Sequence, residues 1–182
     1  MEKAELFKKY PLSSSVVYNG ATVIHFLVGG LVISFADRFI GPLGGILGLV
    51  YILFSFLDMY VLMPLQVCKN CVYVRLDQAV CISGLNIVAR KFMRGGNPSD
   101  FPRRARGLLS PNNFYLFSLL FPVACGIPIL IFNYSVTLLL LETSLFILLV
   151  TRFAWIIPKL ACVHCLSKFV CPQAGLMGVR EK

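Results

Sequence analysis

Two cysteine pairs in this chain share one spacing. Cys68 with Cys71, and Cys162 with Cys165, each form a Cys-x2-Cys, and each pair follows a proline by four residues, Pro64 and Pro158 respectively. Thiolates at this spacing reach a single ion from one tight turn, and two such pairs complete a tetrahedral site. Cys68, Cys71, Cys162 and Cys165 are therefore the first-choice ligand set. Zinc is the first-choice metal, because a closed four-thiolate site satisfies it; an iron–sulfur cluster, also held by four thiolates, is the alternative. Cys81, Cys171 and His164 are further candidate ligands. His164 lies between Cys162 and Cys165, a position better suited to a neighbour than to a ligand.

The segment Cys162-x2-Cys165-x5-Cys171-Pro172 resembles ferredoxin runs that end in Cys-Pro, but the Cys-x2-Cys-x2-Cys-x3-Cys-Pro spacing is absent. A thiol–disulfide redox pair uses the same Cys-x2-Cys motif. The sequence holds no P-loop, nucleotide fingerprint, Ser/His/Asp order or His-Glu-x2-His helix, so a stand-alone enzyme is not expected and no catalytic residue is assigned. With two histidines, His25 and His164, bis-histidine haem is disfavoured as well.

The elements that would carry these cysteines are apolar. Of 182 residues, 58% are hydrophobic and 14% charged, with a mean hydropathy of +0.80; soluble domains carry about 25% charged residues. The fold class expected is an all-α integral membrane protein. Val16 to Phe35 is charge-free and long enough for a hydrocarbon core of about 30 Å at 1.5 Å per residue. No small-residue cleavage pattern follows it, so it reads as a retained span and not a signal peptide. Leu43 to Gln66 forms a second span, and Phe114 to Pro158 holds two more, with Phe132-Asn133-Tyr134-Ser135 as their turn. The continuous apolar runs exclude the alternation of barrel strands.

Fifteen of the seventeen Lys and Arg fall before the first span, between the second and third, or after the fourth; Arg38 and Arg152 are the exceptions. By the positive-inside rule both termini and the central loop are cytoplasmic. That face should attract anionic lipid headgroups, at about 1 kcal/mol per basic residue near the surface. Orientation and lipid account for the basic residues without nucleic acid, which is not the expected partner.

A shift of 94 residues superposes Pro64, Cys68 and Cys71 on Pro158, Cys162 and Cys165, and Asp58 on Arg152. The expected architecture is thus four transmembrane helices arranged as two parallel-repeat hairpins, each followed by a cytoplasmic Cys-x2-Cys. In segments, this gives an N-terminus at 1–15, a first hairpin with its Cys pair at 16–71, a basic loop at 72–113, a second hairpin with its Cys pair at 114–165, and a tail at 166–182. Within the loop, Val72, Val74 and Leu76 alternate with Tyr73, Arg75 and Asp77 while later positions could form an interfacial helix, a mixed pattern that leaves the structure open; Arg94 to Gly107 reads as a flexible basic linker.

Ionisable groups within hydrocarbon cost several kcal/mol unless paired, and each is a functional candidate. Asp58 and Arg152 are expected to form one salt bridge across the repeat axis, and His25 and Glu142 a deeper polar contact. Pro122 and Pro128 should kink the third span and free backbone carbonyls. Gly44 and Gly48 form a Gly-x3-Gly that permits close helix contact. The functional expectation is a membrane anchor or assembly subunit for a soluble partner, or a homo-oligomer, with the metal site joining its two halves. The second is an iron–sulfur electron-transfer subunit of a membrane redox complex, and the third a small transporter.

Overall fold

The structure is a computed structural model that describes residues 5–93, 95–106 and 110–179, except the side chain of Arg106. Lys3, Arg94, Arg180 and Lys182 of the basic face lie outside the described residues. Helices run in the order α1 (Leu12–Ser34), α2 (Asp37–Ile40), α3 (Leu43–Leu57), α4 (Met63–Gln66), α5 (Val72–Arg75), α6 (Leu85–Phe92), α7 (Phe101–Arg106), α8 (Pro111–Phe132), α9 (Val136–Thr151) and α10 (Pro172–Leu176). Among the described residues there is no strand, only a parallel bridge between Lys9 and Val80.

Four helical stretches are long and apolar enough to cross a membrane: Leu12–Ile40, Leu43–Asn70, Pro111–Phe132 and Val136–Cys162. Their outward faces are apolar, as with Leu31, Leu53, Ile131 and Leu140, each more than half exposed. That is the surface expected of a helix bundle solvated by lipid. The turn between α8 and α9 falls at Asn133 to Ser135, where the sequence places its polar break. At the same end Arg38 donates to Asn133 Oδ1 at 2.6 Å, joining the two interhelical turns.

The first two spans meet backbone to backbone. A Cβ on Gly48 would strike the Gly30 carbonyl and the Ser34 side chain, and one on Gly30 would strike Ile52 and the Gly48 carbonyl. Glycine at both positions is what allows α1 and α3 to come this close. In α8, Pro122 has no N–H for the Ser118 carbonyl four residues earlier. Tyr51 of α3 supplies the missing donor, its hydroxyl bonding Ser118 O at 2.6 Å. His25 of α1 takes the next carbonyl, with Nε2 2.9 Å from Leu119 O. The proline thus exposes acceptors that two neighbouring helices use for docking.

The second and fourth spans both pass into π-helix, over Asp58–Leu62 and Arg152–Cys162. Proline follows the first segment at Pro64 and lies inside the second at Pro158. The missing proline N–H and its ring clash disturb the i→i−4 ladder, and a wider i→i+5 turn carries the helix across.

Three expectations are corrected. Arg152 and Asp58 form no ion pair: Arg152 Nη2 donates to Thr22 Oγ1 at 2.7 Å, and its guanidinium lies 5.0 and 5.1 Å from the ring centroids of Tyr18 and Tyr115. Neither carboxylate oxygen of Asp58 has a hydrogen-bond partner. His25 does not meet Glu142, because the Pro122-exposed strip of α8 takes its ring, while Glu142 lies against Gly126 and Val32. The third concerns Arg94 to Gly107, which contains α7, with Phe101 and Ala105 buried against Val67. Apolar residues every four positions gave this basic segment a face to bury.

Candidate functional site

The N-terminal segment, the central loop and the tail converge at one end of the bundle. Tyr10 N–H donates to Val80 O and Val80 N–H to Lys8 O, both at 3.0 Å, while Phe7 N–H donates to His164 O at 3.0 Å. Tyr73, fully buried, is the shared post: its hydroxyl donates to Phe7 O at 2.7 Å and accepts from Leu166 N–H at 3.2 Å. Tyr10 completes the junction by donating to Ala161 O.

Beneath this junction lies a cavity of about 160 Å³ lined by five thiols, those of Cys71, Cys81, Cys162, Cys165 and Cys171. Cys71 and Cys81 come from the first half of the chain, the other three from the second. Cys68 lines instead an adjoining cavity, which shares Tyr18, Cys71, Phe101, Tyr115 and Gln173 with the first. His164 is drawn away from the cluster: its ring stacks on Phe7 at 4.4 Å and Nδ1 is 2.8 Å from Glu5 O. The lone Cys125 lies within α8, away from this end.

The loop reaches the cavity because α6 holds it. Gly84, with φ +72, starts the helix in a left-handed conformation that glycine adopts without strain. One turn apart on α6, Asn86 and Arg90 then gather backbone groups of the loop. Asn86 accepts from Cys81 N–H at 3.0 Å and donates to Ala79 O at 2.8 Å; Arg90 donates to Tyr73 O and Leu76 O, each at 2.8 Å. Sequence reasoning missed Asn86, Arg90, Tyr10 and Tyr73. The i, i+4 polar pair on an otherwise amphipathic helix was the available signal for the first two.

None of the seven cysteines is disulfide-bonded. Cys71 Sγ lies 3.1 Å from Ser167 Oγ. Burial, followed by the neighbouring thiols Cys81 and Cys171, pushes the Cys71 thiol up against the opposing effect of Ser167. Cys165 is pushed up strongly, first by burial and then by Cys71, Cys171 and Cys162. Such thiols are protonated at neutral pH and are poor nucleophiles until a cation displaces their protons.

Among the described residues, the cavity lining contains sulfur, hydroxyl and amide groups and no carboxylate. That donor set suits a soft metal and not calcium or magnesium, which take oxygen ligands. Among the described residues, no group of three or more His, Cys, Asp or Glu side chains is already arranged to hold a metal ion. Tyr18 and Tyr115 form the inner wall, and the Arg152 cation lies against both rings. Compared with known proteins, the chain matches no family model, no curated protein and no solved structure.

Proposed function

We propose that this is a four-span membrane protein whose two halves are clasped by a thiolate-bound zinc ion at the basic, cytoplasmic end, and that it serves as an anchor or assembly subunit for a soluble partner. The observation that carries this reading is the single cavity lined by Cys71 and Cys81 from one half and Cys162, Cys165 and Cys171 from the other. Cys71, Cys162, Cys165 and Cys171 are the favoured ligands, with Cys171 in place of Cys68 because Cys68 faces the adjoining cavity. The four sulfurs are not gathered in the structure; on this reading they converge as the ion binds. A four-thiolate zinc centre carries net charge −2, and the buried Arg152 behind Tyr18 and Tyr115 partly offsets it. Buried thiols with raised pKa values favour this reading over redox chemistry, which needs accessible thiolates. Beside the clasp, Phe169, Val170 and Leu176 are exposed apolar residues of the tail, the kind of surface a partner covers.

The test is elemental analysis and a visible spectrum of anaerobically purified protein, alongside Cys162→Ser and Cys125→Ser. The expected result is about one zinc per chain, lost in Cys162→Ser and kept in Cys125→Ser. Chelation should accelerate proteolysis of the loop at 72–113, since its clamp to the tail is released. Brown protein with acid-labile sulfide would replace zinc by an iron–sulfur centre; metal-free protein whose proteolysis ignores chelator would overturn the clasp.

A further inference from the structure

At the same end of the bundle, α6 leans against the second span and leaves a groove between them. It has a volume of about 410 Å³, and its walls are Tyr60, Val61, Pro64 and Leu65 on the span side and Val88, Ala89, Phe92 and Met93 on the α6 side. This falls within the range of roughly 300–1,000 Å³ typical of small-molecule sites. Tyr60 is its one polar-tipped residue. The apolar face of α6 is uncovered: Phe92 is 70% exposed and Ile87 and Val88 are exposed beside it. A helix with that face open and Arg90 and Lys91 in its last turn has the pattern of helices that lie in the plane of a membrane interface.

Charge identifies the occupant. Arg90 is spent on the loop carbonyls of Tyr73 and Leu76. Lys91 is exposed, and its Nζ lies 5.8 Å from the centroid of the Phe92 ring, which forms a wall of the groove. An apolar slot opening beside a cation, at the level where a span leaves the hydrocarbon, matches one acyl chain under a phosphate. We infer that this groove is a binding site for an anionic phospholipid, with an acyl chain between α6 and the second span and the headgroup phosphate at Lys91. The site is independent of the cysteines, and neither reading depends on the other.

The experiment is native mass spectrometry of the full chain released from bilayers of equal phosphatidylglycerol and phosphatidylcholine, with Val88→Trp to fill the groove and Lys91→Gln to remove the cation. Both substitutions are at exposed positions, and circular dichroism checks that each variant stays helical. The wild type should retain one phosphatidylglycerol in preference to phosphatidylcholine. Val88→Trp should lose it, and Lys91→Gln should weaken the preference about fivefold, the equivalent of one basic residue near a charged surface. Equal retention of both lipids, retention unaffected by Val88→Trp, or a dimer sealed through α6 without lipid would each overturn the assignment.

Discussion

The two hairpins solve the same packing problem by different means. In the first, α1 and α3 approach until Gly30 and Gly48 leave no room for a Cβ, and the contact is backbone against backbone. In the second, α8 and α9 meet through a side chain: the position that Gly126 leaves vacant is filled by the end of Glu142. The halves nevertheless share a register, since their π-helical segments begin at Asp58 and Arg152, 94 positions apart, the same offset that relates the prolines and the cysteine pairs. The lesson is that positions 94 apart share a local backbone geometry, each near a proline, while their side chains take unrelated partners.

The sharpest way to break this contrast is Gly48→Val. Its branches would meet the Gly30 carbonyl, which cannot move aside, and a loss of about 3 kcal/mol or more is expected. Thermal unfolding in detergent should show the largest drop of any single change here.

A double-mutant cycle then tests whether the matched charges of the two halves interact. Arg152→Ala should cost about 3 kcal/mol through the lost Thr22 bond, the lost ring contacts and the cavity left behind. Asp58→Asn should cost little, because the carboxylate has no partner to lose. The coupling between them should be below about 0.5 kcal/mol. A coupling of several kcal/mol would restore the salt bridge that the sequence suggests.

Tyr51→Phe probes the dependence of the second hairpin on the first. It leaves the Ser118 carbonyl without a donor, and a loss of about 1–3 kcal/mol is expected. If unfolding were unchanged, the proline-exposed carbonyl would not be a docking point.

Proton linkage separates the thiol-lined end from the spans. Cys71 and Cys165 hold their protons more tightly folded than unfolded. Metal-free protein should therefore keep the contribution of these thiols below the ordinary thiol pKa of about 8.5 and lose it as pH rises above that value, because the unfolded chain ionises first. Zinc affinity should move the other way and strengthen with pH, since binding displaces thiol protons. A melting temperature independent of pH between about 8 and 10 would contradict the burial of these groups.

A smaller effect is expected for Gly126→Ala. Its Cβ would meet the Glu142 carboxylate and the buried Val32 side chain, and no backbone, so the cost should be about 1–2 kcal/mol, below that of Gly48→Val. A cost equal to that of Gly48→Val would erase the distinction between the hairpins.

The spans were legible in the sequence because a helix that crosses hydrocarbon must be long and apolar, and charge-poor runs of that length declare themselves. The turn at Asn133 was legible for similar reasons of local pattern, whereas the mixed pattern of the loop left helix α6 open until the structure placed it. Less so was α7: Phe101 and Ala105 are two residues in a basic Gly/Pro-rich stretch, and only the presence of Val67 across the gap makes them a face.

What the sequence determined by itself, then, is the number and extent of the spans, the concentration of positive charge in three segments, and two proline–cysteine motifs at equal offset. These are properties of composition and period, set by the hydrophobic effect along the chain. The tertiary structure alone decided which thiols share a cavity, that Cys171 is in and Cys68 faces aside, and that Arg152 turns to Thr22 and two tyrosines instead of Asp58. Those choices depend on helix rotation and on which carbonyls a proline frees, and neither quantity can be read from one residue's neighbours in sequence.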